Sequence, residues 1–343
     1  MKKFNTAIVG ATGAVGQEFL KLIEERNFPF GELKLLASSR SAGKKINFMG
    51  KEYTVEETTE KSFDGVTFAL FAGGAASKLF APAAVKAGAV VIDNSSTFRM
   101  DPEVPLVVPE VNPQAIRRHK GIIANPNCST IIMVMALKPL YNLSKIKRVV
   151  VSTYQAVSGA GREGMDELKN QLESLARGEE ISAKVLPVAK LDKHYQIASN
   201  LLPQIDIFMD NLYTKEEMKM VDETKKIMED DALKVTATTI RVPVYRSHAE
   251  SVNVEFEDEI AVDEARKALE NFPGVVVRDN PAEMIYPQPL ETSGKDAVEV
   301  GRIRKDFSID HGLNLWVCGD QIRKGAALNA LQIAERMIAD ELI

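Results

Sequence analysis

Residues 6–9 form a short apolar run that passes at once into Gly10-Ala11-Thr12-Gly13-Ala14-Val15-Gly16, after which Val15, Phe19, Leu22 and Ile23 recur at helical spacing. A strand that turns through glycines into a helix leaves unpaired N–H groups and the positive end of the helix dipole at the turn. Such a turn suits an anion, and the pyrophosphate of a dinucleotide above all. The spacing is G-x-x-G-x-x-G in place of the commoner G-x-G-x-x-G, so the position directly after the first strand carries the argument. Apolar strands follow at residues 33–37, 66–71 and 90–92, with a helix ending near Lys86 between the last two. Alternation of this kind calls for a parallel sheet with helices on its faces and ligands at the carboxyl ends of the strands.

The first domain therefore reads as a Rossmann-type α/β sheet, with Gly10, Thr12, Gly13, Ala14 and Val15 cradling a cofactor. In a unit that reads NAD, an acidic residue about 20 positions beyond the glycines takes the ribose 2′-hydroxyl. Here the second strand runs into Ser38-Ser39-Arg40-Ser41. Hydroxyls and a guanidinium suit a 2′-phosphate, so NADP(H) is expected over NAD(H). Further strand ends carry Ala72-Gly73-Gly74 and Asn94-Ser95-Ser96-Thr97-Phe98-Arg99, which puts Arg99 on the ligand rim.

Asn125-Pro126-Asn127-Cys128-Ser129-Thr130 places one of two cysteines between a buried strand and an apolar helix over residues 131–140. Pro126 forbids helix before it. Cys128 thus falls at or beside a helix N-terminus, where the dipole and unpaired N–H groups favour thiolate over thiol. A buried, inert cysteine is the competing reading. Cys318, at the end of a later strand, is expected to be structural.

The second half has a different grammar. A strand at residues 149–154 leads through Gln155 into Ser158-Gly159-Ala160-Gly161, then a charged helix over residues 162–176, then an irregular stretch to residue 210. Thr214 and Glu217 have capping-box spacing at the start of the next helix. Glu216 and Lys219, three apart, read from sequence alone as a solvated charged face. Arg241 and His248 flank a proline-broken strand at Pro243; a guanidinium there can fork onto a carboxylate, and an imidazole can move protons near neutrality. Later strands suggest a largely antiparallel second sheet. An amphipathic helix with Leu328, Leu331, Ala334 and Ile338 on one face closes the chain.

With 343 residues, 45% hydrophobic and 27% charged, the chain is long enough for two ordinary domains. A formal net charge of −5 argues against nucleic acid as a main partner. No run approaches the roughly 18 consecutive apolar residues of a membrane helix. Two cysteines form neither a disulfide framework nor a metal cluster, and a cytoplasmic setting without metal is expected.

Taken together, the glycine turn at residues 10–16, Ser38 to Arg40, Ser96 to Arg99, Asn125 to Thr130, Gln155 to Gly161, Glu216 to Lys219, Arg241 to His248 and residues 319–327 resemble, in order, the aspartate-β-semialdehyde dehydrogenase family. The resemblance implies a fold like that of glyceraldehyde-phosphate dehydrogenase. An NADP-binding Rossmann domain would span 1–127 and 322–343, and an α+β catalytic and dimerisation domain 128–321. It implies Cys128 as nucleophile, His248 as acid/base and Gln155 as an orienting group. Arg241 and Glu216 would hold the carboxylate and amine of the substrate, with Asn127 beside them, and Arg99 with Lys219 would hold phosphate. Ser158, Gly159 and Gln321 would lie near the nicotinamide. The implied reaction is reductive dephosphorylation of β-aspartyl phosphate to aspartate semialdehyde through a cysteine thioester, in lysine, threonine and methionine biosynthesis, by a homodimer or homotetramer. Two alternatives stand beside it: an N-acetylglutamyl-phosphate reductase, and a non-catalytic NADP(H)-binding regulator.

Overall fold

The computed structural model describes residues 2–343. The chain divides into two compact units, Met1–Asn127 with Gly325–Ile343, and Cys128–Lys324.

The first unit contains β1 (Phe4–Val9), α1 (Ala14–Glu25), β2 (Phe30–Ala37), β3 (Lys45–Phe48), β4 (Lys51–Thr54), β5 (Glu56–Glu57), β6 (Phe68–Phe71), α2 (Ala76–Lys86), β7 (Val90–Asp93) and β8 (Ile122–Ala124). Strands β3 and β4 form a small hairpin sheet; the main sheet is wholly parallel, in the order β5-β2-β1-β6-β7-β8. Chain order reverses between β1 and β6, the switch point at which doubly wound sheets open a crevice for ligands. Alternating side chains feed two cores. Ile8, Leu35, Leu70 and Ile92 pack with Phe19, Leu22 and Ile23 of α1 and with Leu328, Leu331 and Met337 of the C-terminal helix. Ala7, Val9, Leu36, Phe71 and Val91 pack on the other face with Ala81 and Ala84 of α2. Each fully buried Phe, Leu or Ile contributes about 1.5–3 kcal/mol. In the C-terminal helix Met337, not Ile338, takes the buried place, because the stripe recurs every three residues from Leu328.

The second unit contains α3 (Cys128–Tyr141), β9 (Ile146–Gln155), α4 (Gly161–Arg177), α5 (Lys215–Met228), β10 (Lys234–Arg241), β11 (His248–Phe256), α6 (Val262–Glu270), β12 (Val275–Val277), α7 (Pro289–Thr292), β13 (Val298–Asp306) and β14 (Gly312–Gly319). Its six strands run β10-β9-β11-β14-β13-β12. The inner pairings are antiparallel, as expected, and the sheet is mixed because the outermost pairs, β10 with β9 and β13 with β12, are parallel. Each of these parallel pairs is bridged by a helix-bearing crossover, and parallel neighbours need such a crossover. Helices α3, α5 and α6 lie together on one face of the sheet. The irregular stretch after α4 is held by side chains of that helix. Glu167 accepts from the backbone N–H groups of Lys184, Val185 and Leu186, and Gln171 from those of Ile197 and Ala198.

Candidate active site

Three neighbouring strands of the mixed sheet end their inward-facing rows in polar residues at the same end. In β9 the row Ile146, Val149, Val151 gives way to Thr153 and Gln155; β10 finishes at Arg241, and β11 begins at His248. Register brings them together, since Arg241 pairs with Gln155 and Ala249 with Tyr154. Side chains alternate along a strand, so a strand offset by one residue would have turned its member of the three away. Pro243 breaks the chain between β10 and β11, and Gln155 is the last residue of its strand, buried rather than beyond it.

Cys128 is the first residue of α3 and is half-buried. Its Sγ lies 3.5 Å from His248 Nε2. The first turn of α3 carries no acidic residue. A sulfur so placed meets the positive end of a helix whose remaining faces are packed in the core. Cys318 is the contrast: burial, then the nearby Glu250 and Glu299, push its thiol pKa well up, which leaves it an inert core residue.

His248 is fully buried, and its Nδ1 accepts from the Ala156 N–H at 3.0 Å. Burial first and the Arg241 charge second lower its pKa from 6.5 to about 3. Arg241 is buried too; its Nη1 donates to the Ala156 carbonyl at 2.7 Å, and its Nε has no hydrogen-bond partner. Gln155 accepts from Thr153 Oγ1 at 2.9 Å and donates to Glu216 Oε1 at 3.2 Å. Glu216 and Lys219 are no solvated face. Glu216 is 6% exposed, and Lys219 Nζ stands 3.1 Å from both Glu216 and Asp206. Burial works against the Lys219 charge, but the two carboxylates more than offset it and raise its pKa. The capping box of α5 turns Glu216 inward: Thr214 Oγ1 accepts from the Glu217 N–H, and the Glu217 carboxylate accepts from the Thr214 N–H.

Gly159 explains a residue choice that spacing alone did not. A Cβ there would stand 2.7 Å from Arg241 Nη1 and 3.6 Å from His248 Cε1. Gln321 uses both ends of its amide, accepting from the Ser247 N–H at 2.7 Å and donating to Ser158 Oγ. It thereby ties the turn after β9 to Ser247, which holds a left-handed φ of 76° immediately before His248. Thr153 and Asp206 were not singled out in the sequence. Ala156 acts through its backbone, and no residue type announces that.

In the first unit, Arg99 is 7% exposed and not on an open rim; its Nε donates to the Asn125 carbonyl at 3.0 Å and its Nη2 to that of Asn94 at 2.7 Å. Asn125 Oδ1 accepts from Asn329 Nδ2 of the C-terminal helix at 2.7 Å, so the returning helix anchors the stretch that precedes Cys128. Asn127 is buried.

The glycine turn fits a dinucleotide. Helix α1 is capped by Gly13 without any side-chain bond, and its first turn holds no acid, which leaves its N-terminal donors to an anion. A side chain at Gly16 would run into the Gly10 carbonyl and the Ala11 backbone, so the turn closes tightly under Thr12, Ala14 and Val15. Thr12 Oγ1 lies 3.4 Å from Ser41 Oγ, which brings the turn and the exposed Ser38, Ser39 and Arg40 side by side.

Residues 5–119 match the family described as "Semialdehyde dehydrogenase, NAD binding domain", and residues 137–324 that described as "Semialdehyde dehydrogenase, dimerisation domain". The chain is 57% identical over 344 residues to an aspartate-semialdehyde dehydrogenase of Aquifex aeolicus, covering 99% of each chain. It is 53% identical over 335 residues to that of Bacillus subtilis, covering 97% of each. Among solved structures, aspartate semialdehyde dehydrogenase II from Vibrio cholerae complexed with ASA superposes with a TM-score of 0.94 at 49% identity over 99% of both chains. The Candida albicans enzyme with NADP gives 0.76 at 27% identity over 100% of both.

Proposed function

The chain belongs to the aspartate-semialdehyde dehydrogenase family, and on that premise we propose that it reduces β-aspartyl phosphate to aspartate semialdehyde with NADP(H), through a thioester on Cys128. The observation that carries this reading is the 3.5 Å approach of Cys128 Sγ to His248 Nε2 beside two buried, oppositely charged side chains, Arg241 and Glu216.

The thiolate attacks the acyl-phosphate carbonyl and phosphate leaves. Sulfur serves as both nucleophile and leaving group, which divides a difficult acyl reduction into two accessible steps. Backbone N–H groups at the start of α3 are the available oxyanion donors, each typically worth about 3 kcal/mol. Arg241 takes the substrate carboxylate, Glu216 the ammonium, and Gln155 orients the reacting end. Arg99 and Lys219 supply the cations for phosphate. Lys219 is ion-paired with Asp206 and Glu216, and an arriving dianion would compete for it. The residues of the glycine turn with Ser38, Ser39 and Arg40 would hold NADP(H), and Ser158, Gly159 and Gln321 its nicotinamide end; when bound, it supplies the hydride.

A substrate with a free amine is favoured over an N-acetylated one, because an acetylated nitrogen offers Glu216 no cation. Reduction of NADP by aspartate semialdehyde, followed by absorbance with and without phosphate, tests the reading; NAD and N-acetylglutamate semialdehyde run in parallel. Phosphate-dependent turnover with NADP is expected. Turnover that ignores phosphate, or that prefers the acetylated substrate, overturns it.

Gly159→Ala is expected to fold normally, since Gly159 has no positive φ, yet to lose about 10²-fold in kcat/KM by displacing Arg241. An unchanged kcat/KM beside an unchanged Tm would remove Gly159 from the site.

The protein would work in the cytoplasm, where thiols stay reduced. It would do so as a homodimer or homotetramer. The outward face of the mixed sheet, with a groove of about 1000 Å³ lined by Tyr245, Tyr286, Leu290 and Trp316, is the surface that a second copy would cover. Among the described residues no helix is long and apolar enough to cross a membrane.

A further inference from the structure

Lys219 Nζ donates to Glu216 Oε2 and to Asp206 Oδ2, each at 3.1 Å. An ammonium has three N–H donors, so two are committed and one is left for phosphate. The two carboxylates differ in their surroundings. Glu216 stands on α5, its side chain is 7% exposed, and its Oε1 accepts from Gln155. Asp206 lies on the irregular segment before α5, and its side chain is 35% exposed. Water can solvate a released carboxylate at the second position and not at the first.

The segment that carries Asp206 is itself fastened to the strand that ends in Arg241. Leu202 exchanges both backbone bonds with Arg241, at 3.0 and 2.9 Å, and the Ile207 carbonyl accepts from the Lys215 N–H at the start of α5. Asp206, between them, holds a left-handed φ of 69°, and its Oδ1 accepts from the Ile207 N–H at 2.9 Å. One oxygen thus anchors the carboxylate to the main chain while the other is turned to Lys219. When the ammonium is taken from it, the bond to Ile207 keeps the carboxylate close by. Substrate chemistry makes that step necessary: the amine of the substrate claims Glu216, and a dianion held by Lys219 meets Asp206 as a like charge.

From this asymmetry we propose that Asp206 is the competing anion of the phosphate site: it yields Lys219 to the incoming dianion and, by reclaiming it, hastens the departure of phosphate after acyl transfer. The proposal rests on the thioester reading. Acyl transfer leaves phosphate beside the thioester it has just formed, and the step is reversible. A phosphate oxygen that attacks the thioester carbonyl forms the C–O bond, the C–S bond breaks, and the thiolate takes back the electron pair. Phosphate that lingers favours this reversal over hydride transfer. A carboxylate that shares the cation of the phosphate shortens its stay and lowers its affinity. Asp206 is a positioning residue that acts through Lys219. Without it the ammonium keeps its charge, because the Glu216 charge, which opposes burial more strongly than that of Asp206, is still beside it.

The test is calorimetric titration of inorganic phosphate into the full protein and into its Asp206→Asn variant, at about pH 7 and low ionic strength, where charge effects are least screened. Asparagine adopts a left-handed φ as aspartate does and retains an oxygen for the Ile207 N–H, so the substitution removes charge and little else. The variant is expected to bind phosphate about five- to tenfold more tightly, and its KM for phosphate in semialdehyde oxidation should fall by the same factor. Simple damage to the segment would weaken a ligand and not tighten it. Equal or weaker binding by the variant overturns the proposal. So does phosphate binding that is as tight in Lys219→Met as in the parent, which would place the ion elsewhere. Titration needs no turnover: absence of activity with aspartate semialdehyde would refute the proposed function and leave Asp206 to be judged by phosphate affinity alone.

Discussion

Cys128→Ser is expected to lower kcat by at least about 10⁴-fold, or about 5 kcal/mol, while leaving Tm and cofactor affinity near those of the parent. An alcohol in place of a thiol keeps the size of the side chain but not its chemistry. Serine stays protonated even at a helix N-terminus, where a thiol ionises far more readily. Removal of a nucleophile is among the most costly single changes an enzyme can suffer. Steady-state assay with aspartate semialdehyde, NADP and phosphate measures it, together with mass analysis of the protein after brief exposure to semialdehyde and NADP without phosphate. The parent should retain an acyl adduct on the Cys128 peptide and the variant none. A variant that kept more than about a hundredth of parental kcat would end the thioester mechanism.

Arg241→Lys is expected to lose about 10²- to 10³-fold in kcat/KM for the semialdehyde, or about 3–4 kcal/mol, the range for truncating one side of a buried charge pair. Two causes act together. The planar fork that matches a carboxylate is lost, and with it the geometry of the bond to the Ala156 carbonyl. The second cause is ionisation. Arginine tolerates complete burial because, even with its pKa lowered from 12.5, it keeps its charge. An ammonium starts about two units lower, and the same burial carries its pKa down towards the working range. The sign follows: the lysine variant is cationic at low pH and neutral at high pH, so its residual activity should fall as pH rises where that of the parent does not. Profiles of kcat/KM against pH for both proteins decide the matter. A variant with parental kcat/KM, or with the parental pH profile, would take Arg241 out of carboxylate binding.

The legible parts of this protein are those whose physical cause is local. A strand, a glycine turn and a helix follow one another within residues 4–25, and their meaning is set by backbone geometry and dipole over a few residues. The same holds for Cys128, whose place at the start of α3 follows from Pro126 before it and an apolar run behind it. Glu216 and Lys219 show the opposite case. On the sequence they are two charges three apart on a helix, indistinguishable from a solvated face, and their burial depends on the packing of α5 against β10 and α3.

The sequence alone determined the order of elements, the alternation that forces a parallel sheet, the position of the reactive sulfur and the hydroxyl and guanidinium groups that follow β2, because periodicity, propensity and charge are properties of neighbouring residues. Only the tertiary structure decided that Gln155, Arg241 and His248 share one face at one end of the sheet. That outcome depends on register between strands up to 93 residues apart, where a slip of one residue would reverse every side chain. It alone decided that outer strands of the second sheet run parallel, that Gly159 must leave room for Arg241, and that the backbone N–H of Ala156 meets Nδ1 of His248. A main-chain donor has no residue type of its own, and only folding gives it a partner.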